Sequence, residues 1–433
     1  MPPKEEKEEE EETLELTAQC LCTAHSFTAH VPRLSLPLSA IYCHCTSCRR
    51  ATGALYSTYV PWPWPWASSS SSSFASLQRY VFSASVTTLS CATCGSTMFA
   101  ETMAEDGSLR YGVQTGVLAN VAGILGVGGD DGLAGGSLVN IAHHVFVGDT
   151  QDGGATPWLC DVNADGSRPR LWRGHRGSEI SSAAHHWPLQ RDEEGKEGKE
   201  ENEEAEEEEE EEEEIPIRCH CGGVNLVLRH PTTSFATTDR SALPWFIDPI
   251  SHKSLGTFDA CDSCRLSSGA DIFHWTFALL RHLSFPHEKS HGAIKTTPEL
   301  EFPSSSIELK KAVSSIDRDP RFGTLTFYAS SPDVQRYFCA RCAASVFYAA
   351  DDRPELVDIA IGLLNSERGS RAEDLISWDF GGKVGWKQDV IGGWREGFTN
   401  RVEAAADRWR IERGYPKNWR RIQKEEAAAR GEK

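Results

Sequence analysis

The chain contains fourteen cysteines, and most of them stand in short-spaced groups. Cys20 and Cys22 form a C-x-C pair, and Cys91 and Cys94 form a C-x-x-C pair. Between these pairs lies a C-x-C-x-x-C triad made of Cys43, Cys45 and Cys48. Side chains two apart on a strand share a face, and a C-x-x-C turn folds back on itself. Each group can therefore offer its sulfurs to one ion.

Seven cysteines divided as four plus three predict two kinds of metal site. Four thiolates close a tetrahedral zinc shell, which is typical of a structural site. Three thiolates leave a coordination position open for water or substrate, as in a reactive site. Disulfides and buried thiols are the alternative. Short-spaced pairs in a chain that begins without a recognisable secretion signal favour metal binding instead.

The same order of cysteines returns in the second part of the chain. Cys219 and Cys221 repeat the opening pair, and Cys339 and Cys342 repeat the closing pair. The repeated triad is incomplete and consists of Asp259, Cys261 and Cys264. A carboxylate is a harder donor than a thiolate at such a site. We therefore expect this copy to keep its structural zinc and to bind metal more weakly at its triad.

The net charge of −19 is concentrated in two acidic tracts. Residues 1–15 carry a net charge of −6 and residues 191–214 one of −14, which leaves about +1 for the rest. Such tracts are expected to stay extended and disordered, and they are candidates for binding a basic protein partner. The near-neutral remainder argues against nucleic-acid binding, and no apolar run reaches the ~20 residues of a membrane span. Together with the thiol content, this predicts a cytoplasmic or nuclear protein.

Composition and repeats predict five segments. They are an acidic disordered tail (1–13), a first zinc domain (14–190), a Glu-rich linker (191–214), a second zinc domain (215–400) and a helical tail (401–433) that Pro416 divides. Short aromatic and β-branched runs predict strands in both domains, including one over 356–363. The Pro-Trp repeat at 61–66 and the serines at 68–73 predict a loop insertion or a polyproline-like arm. The glycine-rich stretch within 116–154 lacks the lysine of a phosphate-binding loop and predicts another insertion.

These motifs, in this order, resemble the glutathione-dependent formaldehyde-activating enzyme family, which includes the centromere protein V domain. The resemblance lies in C-x-C, then C-H-C-x-x-C-R-R-x-T-G, then C-x-x-C-G, and continues through 144–159. It covers most of 14–190, and 215–400 looks like a second copy. The resemblance implies a mainly β chain, with two tandem small zinc-binding antiparallel β domains of the β-tent type. The acidic linker would join them, and a C-terminal helix would follow.

The resemblance also implies a function. The family joins formaldehyde to glutathione to give S-(hydroxymethyl)glutathione, so a zinc-dependent carbon–sulfur lyase-type activity is expected here. In the family, the outer four cysteines hold a structural zinc and the middle three hold a catalytic or labile zinc. The catalytic set of this chain would thus be Cys43, Cys45 and Cys48. Glutathione, or a similar small thiol adduct, would be the partner.

Residues beside the triad are further candidates. Arg49 and Arg50 can pair with glutathione carboxylates or lie as surface charges. Tyr42 and His44 are candidates for proton transfer by adjacency alone. His143 and His144 are candidate metal ligands, but the pair is expected to pack in the core instead. The alternative function is a non-catalytic, zinc-stabilised binding module that uses its acidic tracts for interactions.

Overall fold

The computed structural model describes residues 12–63, 74–104, 106–122, 136–179, 214–286 and 301–431. The predicted acidic tail up to residue 11, the serine run, the glycine-rich segment 123–135 and the Glu-rich stretch 191–213 lie outside these residues. The described residues form two sheet-rich halves, each with its own hairpin and larger sheet. The protein is therefore mainly β, as the sequence predicts.

The first half contains ten strands and two short helices. The strands are β1 (Thr13–Gln19), β2 (Ser26–Pro32), β3 (Leu38–Cys43), β4 (Ser57–Pro61), β5 (Gln78–Val81), β6 (Val86–Ser90), β7 (Thr97–Met103), β8 (Leu109–Val113), β9 (Val139–Val145) and β10 (Arg170–Leu171). The helices are α1 (Thr46–Thr52) and α2 (Thr156–Leu159). Strand β2 alternates exposed and buried residues, which places one face of the β1–β2 hairpin on the core.

The second half contains ten strands and five helices. The strands are β11 (Glu214–Arg218), β12 (Asn225–Arg229), β13 (Ser254–Asp259), β14 (Phe273–Leu279), β15 (Leu283–Ser284), β16 (Leu325–Ser331), β17 (Val334–Cys339), β18 (Ser345–Ala350), β19 (Leu356–Ala360) and β20 (Ile376–Trp378). The helices are α3 (Pro231–Ser234), α4 (Asp262–Ser268), α5 (Ser306–Ser314), α6 (Trp394–Glu412) and α7 (Trp419–Ala429). None of the described helices is long and apolar enough to cross a membrane.

The larger sheets of the two halves share one strand order. The first runs β10-β9-β3-β4-β8-β7-β6-β5, and the second runs β20-β13-β14-β19-β18-β17-β16. In both sheets the strand that leads into the triad pairs in parallel with a strand from later in the half, and its other neighbour is antiparallel. The β-rich organisation is therefore repeated strand by strand, apart from the additional edge strand β10.

Two predicted boundaries differ from the structure. The strand expected over 356–363 ends at Ala360, and a 3-10 turn follows over Ile361–Leu363. The physical reason is that the N–H of Gly362 bonds to the other half of the molecule instead of continuing a ladder. The C-terminal helix begins at Trp394 rather than near 401, and the expected break before Pro416 is present between α6 and α7.

The halves join where each triad helix ends. Gly53 ends α1 with φ +81° and Gly269 ends α4 with φ +79°, a conformation that glycine adopts without strain. The carbonyl of Gly53 accepts the N–H of Gly362 at 2.9 Å, and the carbonyl of Gly269 accepts the N–H of Gly116 at 2.8 Å. A Cβ on Gly53 would lie 2.3 Å from the carbonyl oxygen of Ser345. Both crossings therefore need the close backbone approach that glycine allows.

The apolar core is continuous across this joint. The buried ring of Trp158, in α2, packs on Phe258 and Trp378 of the second half, with centroid distances of 5.1 and 5.6 Å. Helix α6 also reaches the first half, where Arg401 Nε donates to the carbonyl of Val162 at 2.6 Å. The C-terminal segment thus packs on the first half as well as on the second.

A buried ion pair lies at the centre of the joint. Arg395 and Asp271 are both fully buried, and Arg395 Nε donates to Asp271 Oδ1 at 2.8 Å. The hydroxyl groups of Tyr42, at 3.0 Å, and of Thr115 donate to Asp271 Oδ2 from the first half. Burial lowers the pKa of Arg395 to about 10, so it stays charged at neutral pH. Asp271 follows the helix-ending Gly269 by two residues, and Leu55 follows Gly53 by two residues in the first half.

We expect Arg395→Leu to lower the free energy of unfolding by about 3–5 kcal/mol, because it leaves the buried Asp271 carboxylate without its cation. Adding Asp271→Leu, which copies Leu55, should recover part of this loss. Denaturant unfolding of the full chain measures both effects. Lys417→Met, which breaks an exposed pair with Glu425, is the control and should have a smaller effect. An Arg395→Leu effect no larger than the control's would contradict a supporting role for the buried pair.

Candidate functional site

Each half brings four cysteine sulfurs together beside its first hairpin. The groups are Cys20, Cys22, Cys91 and Cys94 in the first half, and Cys219, Cys221, Cys339 and Cys342 in the second. Within each group all sulfurs lie within 4.8 Å of one another, and every cysteine is a free thiol. The C-x-C pair follows β1 or β11, and the C-x-x-C pair lies at the end of β6 or β17. The fold thus collects the outer cysteines that the sequence grouped.

The spacing of these sulfurs fits a tetrahedral zinc ion. The Cys22 sulfur lies 3.6 Å from those of Cys20 and Cys91. The Cys221 sulfur lies 3.6 Å from that of Cys219 and 3.4 Å from that of Cys339. A tetrahedron with Zn–S bonds of about 2.3 Å has edges of about 3.8 Å. Both groups can therefore hold a metal ion with little rearrangement.

The first triad lies where β3 passes into α1. Cys43 ends β3, Cys45 is the N-cap of α1, and Cys48 lies in its first turn. The sulfurs of Cys43 and Cys45 are 3.6 Å apart, and the N–H of Cys48 donates to the Cys45 sulfur at 3.3 Å. Within the described part of the chain, no fourth His, Cys, Asp or Glu joins this group. The triad can therefore hold a metal ion and leave one position open.

Hydrogen bonds within the first triad shift the pKa values of its thiols in different directions. Hydrogen bonds from the Cys43 and Cys48 thiols lower the pKa of Cys45, and the Cys48 N–H and the Arg49 guanidinium act in the same direction. Hydrogen bonding to its two neighbours, followed by burial, raises the pKa of Cys43. The thiolate is the form that ligates metal. These interactions thus favour the thiolate form of Cys45.

The two arginines after the triad are both held in place. Arg49 is only 6% exposed, and it donates to the carbonyl of His44 at 3.2 Å and to the hydroxyl of Thr46 at 2.9 Å. Arg50 donates to Asn365 Oδ1, in the second half, at 2.6 Å. Arg49 is therefore a buried cation beside the triad, and Arg50 bridges the halves. Neither is a free surface charge.

Tyr59 is a triad neighbour that the sequence analysis missed. It lies on β4, two residues after Ser57, which pairs with Cys43 across β3. Burial, and then the charges of the three triad thiols, raise the pKa of its hydroxyl. Gln114 Nε2 donates to that hydroxyl oxygen at 3.0 Å, which leaves the hydroxyl proton free to donate. The signal in the sequence was the period of two along β4, which places Tyr59 on the face of the triad.

The second triad has the same backbone frame with different contents. Asp259 ends β13, and Cys261 caps α4 and accepts the N–H of Cys264 at 3.2 Å. Their donor atoms lie within 4.8 Å of one another. However, Cys264 Sγ also receives Arg336 Nη1 at 3.5 Å and Trp275 Nε1 at 3.4 Å. Two protein donors therefore already approach a sulfur that a metal would need.

One row of the sheet explains this difference between the triads. In the second half, Arg336 on β17, Tyr348 on β18 and Asp358 on β19 stand directly across from one another. The guanidinium of Arg336 lies over the Tyr348 ring, 5.1 Å from its centroid, and burial raises the pKa of Asp358 to about 6. The related row of the first half holds the small residues Thr88, Ala100 and Gly112. The side chains of this row are therefore smaller and uncharged in the first half.

Tyr42 and His44, the proposed proton-transfer residues, serve the core instead. The Tyr42 hydroxyl donates to Asp271, and burial raises its pKa well above the ordinary value. His44 Nε2 lies 2.8 Å from His144 Nδ1, and burial lowers the pKa of both rings. His144 is fully buried, as the sequence predicts, whereas His143 is half-buried and accepts a hydrogen bond from Trp172 Nε1 at 3.2 Å. The lone Cys160 is also buried, which raises its pKa to about 12.

Comparison with known proteins identifies one part of the chain. No curated protein and no solved structure matches it. Residues 15–125 match the family of the glutathione-dependent formaldehyde-activating enzyme. The match contains the seven grouped cysteines of the first half, and it does not extend to Cys160, to residues 144–159 or to the second half. On this evidence, residues 15–125 carry the sequence features of the glutathione-dependent formaldehyde-activating enzyme family.

Proposed function

We propose that the first half joins formaldehyde to glutathione at Cys43, Cys45 and Cys48, giving S-(hydroxymethyl)glutathione. The observation that carries this proposal is the convergence of three sulfurs, without a fourth ligand in the described residues, inside the segment that matches the family. The donor set is all thiolate, which suits zinc. Each outer group of four cysteines would hold a structural zinc, and both halves would share a β-tent architecture.

The reaction needs one nucleophile and one electrophile. A zinc ion held by three thiolates supplies, when bound, an open position that favours a fourth thiol in its thiolate form. The glutathione sulfur forms a bond to the formaldehyde carbon, and the C=O π pair moves to the oxygen. That oxygen takes a proton equivalent to the one the thiol released, so the adduct is the only product. No oxidant or reductant is consumed.

Residues of the chain orient these reactants. Arg49 is a buried cation one position after Cys48, and it attracts a substrate carboxylate. The Tyr59 hydroxyl stays protonated because its pKa is raised, and its free proton can donate to the carbonyl oxygen of formaldehyde. Arg50 adds a second positive charge next to Arg49, and its guanidinium also donates to Asn365. These three residues would position and polarise the reactants.

We assign the second half a supporting role. Arg336 approaches the sulfur of Cys264, and Asp259 replaces a thiolate, so this triad is disfavoured as a zinc site. The alternative reading of the whole chain, a non-catalytic binding module, relied on acidic tracts that lie mostly outside the described residues. Both readings share the structural zinc ions. They differ in whether the first triad is reactive.

The first prediction from this proposal concerns zinc content. We expect the full chain to hold three zinc ions, because two groups of four sulfurs and one complete triad are present. Cys43→Ser should lower this to two. Asp259→Cys combined with Arg336→Thr, which copies the first half, should raise it to four. Elemental analysis of purified protein measures each value, and Cys160→Ser is the control that should leave three. Two ions in the wild type, or no change in Cys43→Ser, would contradict the assignment.

The second prediction concerns activity. Loss of residues that only support metal ligands costs about 10–100-fold, so Cys45→Ser, which removes a ligand itself, should slow adduct formation by about 100-fold or more. Exchange spectroscopy of formaldehyde and glutathione, with the uncatalysed rate subtracted, measures this. Cys261→Ser is the matched change in the second triad, and it should leave the rate unchanged in protein that keeps its zinc and its fold. Equal rates for Cys45→Ser and wild type would overturn the catalytic proposal.

A further inference from the structure

A polar cleft of about 70 Å³ lies beside the first triad, at the junction of the two halves. The first half contributes Thr46 and Arg49 of α1, together with Asp149 from the turn after β9. The second half contributes a loop that follows the 3-10 turn Ile361–Leu363, including Asn365 and Ser370. Thr46 and Arg49 each follow a triad cysteine along the same helix turn. The cleft is therefore adjacent to the triad.

The cation of the cleft has an unused donor. Arg49 Nε and Nη2 bond to His44 and Thr46, whereas Nη1 makes no hydrogen bond within the described residues. The guanidinium is mostly buried, which strengthens its attraction for an anion that enters the cleft. Arg49 can therefore accept a carboxylate without breaking its existing bonds.

The second half adds a neutral donor. Asn365 Oδ1 accepts from Arg50 Nη2 at 2.6 Å, so its amide nitrogen is the group left to donate. No hydrogen bond from that nitrogen is present in the described part of the chain. The bond to Arg50 also fixes which end of the amide is available. Asn365 thus adds an N–H donor from the second half to the lining of the cleft.

The anion of the cleft also has an unused atom. Asp149 Oδ2 accepts the N–H of Thr46 at 2.5 Å, and Oδ1 makes no hydrogen bond among the described residues. The residue is exposed, so a ligand can reach it. The cleft therefore offers a cation, an amide donor and a carboxylate acceptor within one small volume.

This set of groups complements a zwitterionic amino acid. A carboxylate pairs with Arg49 and Asn365, and an ammonium group pairs with Asp149. We propose that the cleft binds the α-amino-acid end of the thiol substrate, which in glutathione is its γ-glutamyl head. This inference rests on the proposed function for the identity of the thiol. It assigns recognition of that head to both halves of the chain, although the chemistry would lie in the first alone.

The related junction of the second half engages its arginine differently, although Asp389 there accepts the N–H of Asp262 at 3.0 Å much as Asp149 accepts that of Thr46. Arg265, which corresponds to Arg49, donates Nη1 to the carbonyl of Gly116 at 2.8 Å and Nη2 to Asp262. Asn120 donates to the carbonyl of Val390 at 3.0 Å and accepts the N–H of Arg395 at 3.2 Å. Both Nη atoms of Arg265 are thus engaged, whereas Arg49 has one Nη without a hydrogen bond among the described residues.

Binding of S-methylglutathione to the full-length, zinc-loaded protein tests the cleft separately from the reaction, because this ligand has no free thiol. Calorimetry should show about tenfold weaker binding to Asp149→Asn, which loses attraction for the ammonium group, and to Asn365→Asp, which repels the carboxylate. Asn365→Asp keeps the acceptor for Arg50. Glu367→Gln, which changes an exposed carboxylate outside the cleft, should bind within twofold of wild type. Zinc content should be the same in all of them.

A second ligand isolates the ammonium group. The S-methyl analogue with a glutaryl group in place of γ-glutamyl should bind wild type about tenfold more weakly than S-methylglutathione. It should bind Asp149→Asn and wild type equally. Equal binding of both ligands to wild type, or variants within twofold of wild type, would overturn the proposal for the cleft. If the variants behave as expected in a protein that forms no adduct, the cleft proposal stands and the catalytic one fails.

Discussion

Two of the backbone hydrogen bonds that cross between the halves tie the joint to the two triads. In each bond, the carbonyl of a glycine that ends a triad helix, Gly53 or Gly269, accepts an N–H from the other half. The same short helices carry the triad cysteines at their opposite ends. Since a seven-residue helix is nearly rigid, the position of each triad is set partly by the other half. A displacement at the joint would therefore also displace the candidate site.

The local parts of this structure could be predicted from sequence, and the long-range parts could not. The spacing of neighbouring cysteines determines which sulfurs can meet, so the groups that contain Cys20 and Cys219 could be predicted. The repeated order of cysteines likewise predicted a repeated strand order. The contact of Arg395 with Asp271 joins residues 124 positions apart, and no local pattern marks it. Tyr59 was missed because an aromatic residue in a strand reads as core. The strand over 356–363 was overextended because its end is decided by a contact with the other half.

The two halves show how a shared frame permits different chemistry. Both halves keep the same strand order and the same cap on the triad helix, which is Cys45 in the first half and Cys261 in the second. Each half also keeps the backbone hydrogen bond from its helix-ending glycine to the other half. The differences lie in side chains that project from one row of the sheet. Arg336 in the second half and Thr88 in the first stand at corresponding positions. A few substitutions on a shared backbone therefore separate a triad of three cysteines from one in which a sulfur is already engaged by a guanidinium.

The single Asp271 at the joint decides which surfaces can pair. Two first halves brought together would set Leu55 against the hydroxyl groups of Tyr42 and Thr115 and leave those groups without their acceptor. Two second halves would bury a carboxylate against Phe258 and Ile361, which stand where the two hydroxyl groups would be and offer it no side-chain donor. Either like-with-like pairing would strand buried polar groups, at a cost of several kcal/mol for the carboxylate. The joint therefore favours the pairing of a first half with a second half over either like-with-like pairing.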